Sequence, residues 1–313
     1  MTLRVWSLCL RTAVAALMVS TCLAASPGNS ERAANEPIHP VPAAEKLDPT
    51  RVALGARLFR DPRLSGDGRL SCLSCHAIDS NGADHRTLTW VEGRLPPLFN
   101  TPTVFDAALS FRLNWRGDVR TLEEQVQLSL ENPRSMRADL PTVVQRLRAD
   151  AGIVRDFESA YRRAPDRAAL IDAIVQYERS LITRGSRFDR WLQGDDAALT
   201  PQELRGYRSF KSVGCVACHQ GRGVGGNVFQ RSGVFSPAAR EPVARLRVPS
   251  LRNVATTAPY FHDGSAPTLT YAINAMARAQ LGIRLSQQET ADIAAFLRTL
   301  NGHHDASPVH ARP

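Results

Sequence analysis

"CLSCH" (residues 72–76) and "CVACH" (215–219) hold every cysteine of this 313-residue chain except Cys9 and Cys22. Two thiols three positions apart, with an imidazole directly after the second, can fix a porphyrin through two thioethers. The same turn then offers the iron a nitrogen. One such pentapeptide arises by accident in about one chain per thousand, so two together exclude accident. A structural zinc pair has no need of a histidine after each second cysteine. The motifs predict two covalently bound haem c groups, attached at Cys72 and Cys75 and at Cys215 and Cys218. His76 and His219 are the first axial ligands.

Working outward, a matching helix precedes each motif. Asp48 is an N-cap with Pro49 at the first helical position, and Thr200 and Glu203 form a capping box around Pro201. Both helices carry Gly-x-x-x-Phe, as Gly55 to Phe59 and Gly206 to Phe210, which makes an internal repeat. Each half ends in a second amphipathic helix. One covers 166–181, with Leu170, Ile174, Tyr177 and Leu181 in a stripe. The other covers 286–300, with a Ser286/Glu289 capping box and Ile293, Phe296, Leu297 and Leu300 on one face. Strand patterns are scarce. The expected fold is all-α: two class-I-cytochrome-c-like haem domains with long connecting loops.

The first 25 residues have Arg4 and Arg11, an apolar run and small residues at Ala24 and Ala25, the layout of an export signal. No later stretch has the length of a membrane span. The expected organisation is therefore a signal peptide (1–25), an extended Pro- and Ala-rich leader (26–45), a first haem domain (46–194), a second (195–302) and a tail (303–313), in the periplasm. The formal charge of +9 falls to +7 once Arg4 and Arg11 leave, and to near +3 with four haem propionates. No basic run is interleaved with aromatics, which argues against nucleic acid as a partner.

The sixth ligand decides what each iron does. For the second haem Met276 is the candidate, 57 residues after His219, with His262 competing. A thioether ligand raises the potential and suits electron entry. For the first haem the residues leave three choices: His85, Glu92, or an open face. Met136 is the only other methionine outside the signal.

The whole mature chain resembles the bacterial diheme cytochrome c peroxidases, a family that also contains the MauG-type protein-modifying enzymes. The stretches that carry this are "GARLFRDPRLS", "CLSCH", "NTPTV", "NWRGDVRTLEEQ", "ENPRSM", "GCVACH", "RVPSLRNVATTAPYFHDGS" and "MARAQLG", spread between residues 53 and 300. The resemblance implies an N-terminal peroxidatic haem that reduces hydrogen peroxide to water. It implies a C-terminal His/Met haem fed by a small periplasmic cytochrome c or cupredoxin, and a homodimer. Trp115 matches the tryptophan between the haems, and Gln125 a distal glutamine that hydrogen-bonds peroxide or water. Asn100, Thr257 and Pro259 match the surroundings of an inter-domain calcium ion, the last two through carbonyls.

Two positions depart from the peroxidase pattern. The family's distal histidine falls on Glu92 and its catalytic glutamate on Ser135. A serine cannot supply a comparable acid for O–O cleavage, so either another carboxyl, such as Glu92 or Glu131, takes the task or peroxide turnover is slow. The missing histidine implies an open first iron, as in MauG-like members, yet those replace the methionine by tyrosine and Met276 is present here. The leading expectation is a peroxidase. The alternatives are a MauG-like enzyme oxidising residues of a partner protein, and a non-catalytic diheme electron carrier.

Overall fold

In the computed structural model, residues 28–240 and 243–304 are described. The expected signal peptide and most of the expected tail lie outside them. In chain order these residues form α1 (Gly28–Asn35), α2 (Pro49–Phe59), α3 (Leu122–Glu131), α4 (Leu140–Arg148), α5 (Ala151–Tyr161), α6 (Arg167–Ser180), α7 (Arg187–Leu192) and α8 (Pro201–Ser212). Strands β1 (Phe229–Gln230) and β2 (Leu246–Arg247) follow, then α9 (Leu269–Leu281) and α10 (Gln287–Arg298).

The helix starts follow the local chemistry. The Asp48 carboxylate accepts from the Thr50 and Arg51 amides at the head of α2. Thr200 with Glu203, and Ser286 with Glu289, close reciprocal capping boxes on α8 and α10.

The repeat is built on two close helix crossings, α2 on α6 and α8 on α10. A Cβ at Gly55 would stand 1.9 Å from the carbonyl oxygen of Ala173, and one at Gly206 would stand 1.9 Å from that of Asp292. Each pair can approach this closely only because the residue at the crossing has no side chain. Around them lie two separate cores. One contains Leu58, Phe59, Leu147, Phe157, Leu170 and Ile174; the other contains Tyr207, Phe210, Ile293, Phe296 and Leu300.

Three features differ from the expectation. The all-α reading omits the antiparallel pair β1–β2, in which Phe229 faces Arg247 and Gln230 faces Leu246. Strands of two residues are too short to leave an alternating pattern in the sequence. The stretch expected as an extended leader begins as helix α1, and beyond it Ile38 is fully buried in the second core. That core also takes Phe188 and Leu192 from α7, ahead of the boundary expected after residue 194. The Phe188 ring lies 4.7 Å from Tyr207 and 5.1 Å from Phe296, an aromatic attraction that outweighs chain proximity to the first half.

Candidate haem-binding and peroxide site

The two attachment motifs are copies of one geometry. Each begins as a single 3₁₀ turn, Cys72–Ser74 and Cys215–Ala217, in which the histidine amide donates to the first cysteine's carbonyl, at 3.0 Å for His76 and 3.1 Å for His219. The helix before each motif contributes a phenylalanine. Phe59 to His76 and Phe210 to His219 both measure 6.4 Å between ring centres with a 52° tilt. All four cysteines are free, half-buried thiols.

Each histidine is oriented by a carbonyl. His76 Nδ1 stands 3.1 Å from the Gly82 oxygen and His219 Nδ1 3.3 Å from that of Val224. An acceptor at Nδ1 requires the proton there and leaves the Nε2 lone pair for a metal. Burial lowers the pKa of both rings, to about 4 for His219, so both are neutral imidazoles, the form that ligates iron. Burial likewise pushes the Cys72 thiol up to about 12 and those of Cys75 and Cys215 to about 11.

Among the buried polar atoms without a partner, two are available to a polar group. Gln125 Oε1 on α3 has no hydrogen-bond partner, while its Nε2 donates to Ser129 Oγ at 3.0 Å. Arg247 Nη1 is also unpartnered, although Nε donates to the Asn114 carbonyl at 3.0 Å. Burial alone pulls the Arg247 pKa down to about 10. A buried cation without a counter-ion is costly, and a haem carboxylate would supply the missing charge. Sequence reasoning missed Arg247, since one arginine among many bears no mark of its burial.

The segment between the motifs joins the halves at Trp115. Its indole Nε1 donates to the Asn100 carbonyl at 2.8 Å, its own carbonyl accepts from the Arg247 amide at 2.9 Å, and its ring lies 6.2 Å from His262. His262 is buried beside Phe99 and Trp115, and its carbonyl accepts from the Asn100 amide at 2.7 Å. Asn100 is buried and spends its amide nitrogen on the carbonyls of Arg86 and Thr87, at 2.6 and 3.3 Å. Thr257 and Pro259 follow the 3₁₀ turn Val254–Thr256, Thr257 four residues after the buried Asn253 and Pro259 directly before the buried Tyr260. Met276 is half-buried on α9.

The remaining candidates are spread out. His85 is exposed, with φ +58, and its Nδ1 stands 3.3 Å from the Asn81 amide nitrogen. Glu92 is exposed in a turn. Ser135 Oγ donates to the Ser129 carbonyl at 3.1 Å, and the Ser135 carbonyl accepts from Arg94 Nε. The sequence reading also overlooked Glu178 on α6. Burial first, and the charge of Glu123 second, push its carboxyl up to about 8, and its charge raises the Cys72 thiol. The available signal was an acid four residues after Ile174 on the apolar stripe.

Comparisons with known proteins agree with this geometry. A family description for di-haem cytochrome c peroxidase matches residues 49–197, and one for cytochrome c matches 204–301. The cytochrome c551 peroxidase of Nitrosomonas europaea is 38% identical over 86% of this chain and 85% of its own. The cytochrome c peroxidase Ccp of Escherichia coli is also 38% identical, over 86% of this chain, and the match spans 62% of its length. A solved MauG-like protein associated with microbial copper homeostasis superposes with a TM-score of 0.73. It is 30% identical, over 85% of this chain and 93% of that one.

Proposed function

This chain belongs to the di-haem cytochrome c peroxidase family, and on that premise we propose that it reduces hydrogen peroxide to water in the periplasm with electrons from a small redox protein. Among the described residues no helix is long and apolar enough to cross a membrane, which is compatible with that compartment. The observation that carries the reading is the buried, unpartnered Gln125 Oε1 in the half that holds His76. Haem c bound at the two motifs supplies the redox iron at which a peroxide O–O bond is cleaved.

Around it, the chain's residues have these roles. Cys72, Cys75, Cys215 and Cys218 attach the cofactors, and His76 and His219 hold the irons through Nε2. Met276 would complete the second iron and make that haem the electron entry. Trp115, fixed at both its indole nitrogen and its carbonyl, carries electrons between the halves. Gln125 Oε1 would accept a hydrogen bond from peroxide or water at the first haem, and Glu92 would deliver protons from the surface. Asn100 Oδ1 and the carbonyls of Thr257 and Pro259 hold calcium at the junction, all hard oxygen donors.

Electron paramagnetic resonance of the oxidised holoprotein tests this, with one high-spin and one low-spin haem expected; two low-spin signals would remove the open face. Steady-state peroxide reduction with a cytochrome c donor should then turn over. Ser135 and Glu92, standing where the family resemblance puts a glutamate and a histidine, favour a second reading: oxidation of a partner protein's side chains. Peroxide consumption that occurs only with a partner protein, and leaves that partner covalently changed, would establish it.

A further inference from the structure

Residues 204–285, which contain the second attachment motif, carry eleven Arg or Lys and two Asp or Glu. Residues 46–194, around the first motif, carry 23 and 19, and residues 195–302 as a whole carry 12 and seven, so the two domains have similar net charge and the cationic excess is local to 204–285. Several of these cations have internal duties. Arg252 holds Asp189, Arg205 pairs with Asp292, Lys211 pairs with Glu36, and Arg247 lies between the halves. Arg231, Arg278 and Arg284 differ: all three are exposed, and none has an ion-pair partner among the described residues.

These three flank an apolar spot. The amides of Val234 and Phe235 both donate to the Ala279 carbonyl at 2.8 Å, and Gln280 Nε2 donates to the Arg231 carbonyl at 2.8 Å. The loop is thereby pinned on the last turn of α9. Gly282, with φ +67, passes close under the Phe235 ring, which a Cβ would approach to 3.1 Å. Val234 and Phe235 are nonetheless 54% and 67% exposed. The face adjoins the attachment motif: Leu281 lies 3.7 Å from the Cβ position of Gly214, the residue before Cys215, and Ala217 between the two cysteines is exposed.

We infer that this face docks the electron donor, and that the donor is a small redox protein with an acidic rim around its exposed cofactor edge. A fixed apolar centre excludes water at the contact, and the surrounding arginines steer and select by sign. A donor with a basic rim is repelled. The inference rests on the peroxidase reading only for the direction of electron flow.

The test mixes the oxidised holoprotein, without peroxide, with a reduced acidic bacterial cytochrome c or with the strongly basic mitochondrial cytochrome c. Reduction of the second haem is followed by stopped flow. The acidic donor should react faster, and its second-order rate should fall on the order of tenfold as salt rises from about 10 to 200 mM. The double variant Arg231→Glu/Arg284→Glu should slow that reaction by on the order of ten- to a hundredfold at low salt. Its reduction by a small neutral hydroquinone should match the parent. An equal or faster basic donor, an unaffected charge-reversed variant, or a hydroquinone rate that falls in parallel would each overturn the inference. Peroxide turnover driven by the hydroquinone is assayed separately, so a failed peroxidase reading shows itself there and leaves the docking result to stand or fall alone.

Discussion

The two halves share an attachment geometry to within the second digit and differ in almost everything around it. Phe59 with His76 and Phe210 with His219 have the same separation and tilt, and Gly55 and Gly206 make the same crossing. One step along the helix the match ends. Ala56 follows Gly55, but Tyr207 follows Gly206, and Tyr207 joins Phe188, Trp191 and Phe296 in a packed aromatic cluster. The first half instead leaves a buried amide oxygen, Gln125 Oε1, unsatisfied. The repeat keeps the attachment geometry while its surroundings differ: one half has an unsatisfied buried amide oxygen and the other a packed aromatic cluster.

Variants can break or sharpen that division. Met276→Ala should lower the second haem's midpoint potential by on the order of 0.2 V, a fraction of the ~0.8 V range that axial ligands command. Potentiometry should leave the first haem where it was, and an unmoved second potential would reject Met276 as ligand. Gly55→Val and Gly206→Val each force a side chain into a backbone carbonyl, at a cost of about 3 kcal/mol, the upper end of overpacking. Calorimetry of the holoprotein should show each variant weakening its own half; a common loss would mean that the two cores melt as one.

Gln125→Leu should lower kcat/KM for peroxide about a hundredfold, the typical loss for one hydrogen-bonding group at a reacting atom, with the second haem's potential unchanged. Full activity in that variant would empty the first half of its assigned role. The smallest effect belongs to Tyr207→Phe, which removes the 2.6 Å bond from the phenol to Glu36. About 1 kcal/mol of stability should go with it, read as a fall in Tm with both haem spectra intact.

The parts of this division legible in the sequence are the local ones. Asp48, Thr200/Glu203 and Ser286/Glu289 announced their helices because a cap satisfies amides within three residues. The two Cys-x-x-Cys-His motifs announced the haems for the same reason. Roles for Trp115, Gln125 and Asn100 came only through family resemblance, since nothing local sets them apart. Arg247 and Glu178 went unread, for burial depends on segments more than 50 residues away. The same limit hid β1–β2 and the membership of Ile38, Phe188 and Leu192 in the second core.

The stretch after α1 has a further consequence, for the order in which the molecule is assembled. Ile38 is buried in the second core, the Pro37 carbonyl accepts from the Gly221 amide at 2.8 Å, and the His39 carbonyl accepts from Arg252 at 3.0 Å. These residues are synthesised before any of the first half, yet their partners come after all of it. The first half is in effect a long insertion threaded inside the second, and it can ripen while the strap waits. Completion of the second half draws that early strap home and closes a loop of 213 residues between His39 and Arg252. Such a closure is a late, long-range step, so the second half is the last to be finished, and a chain that stops short of it is left with a tied first half and a loose end.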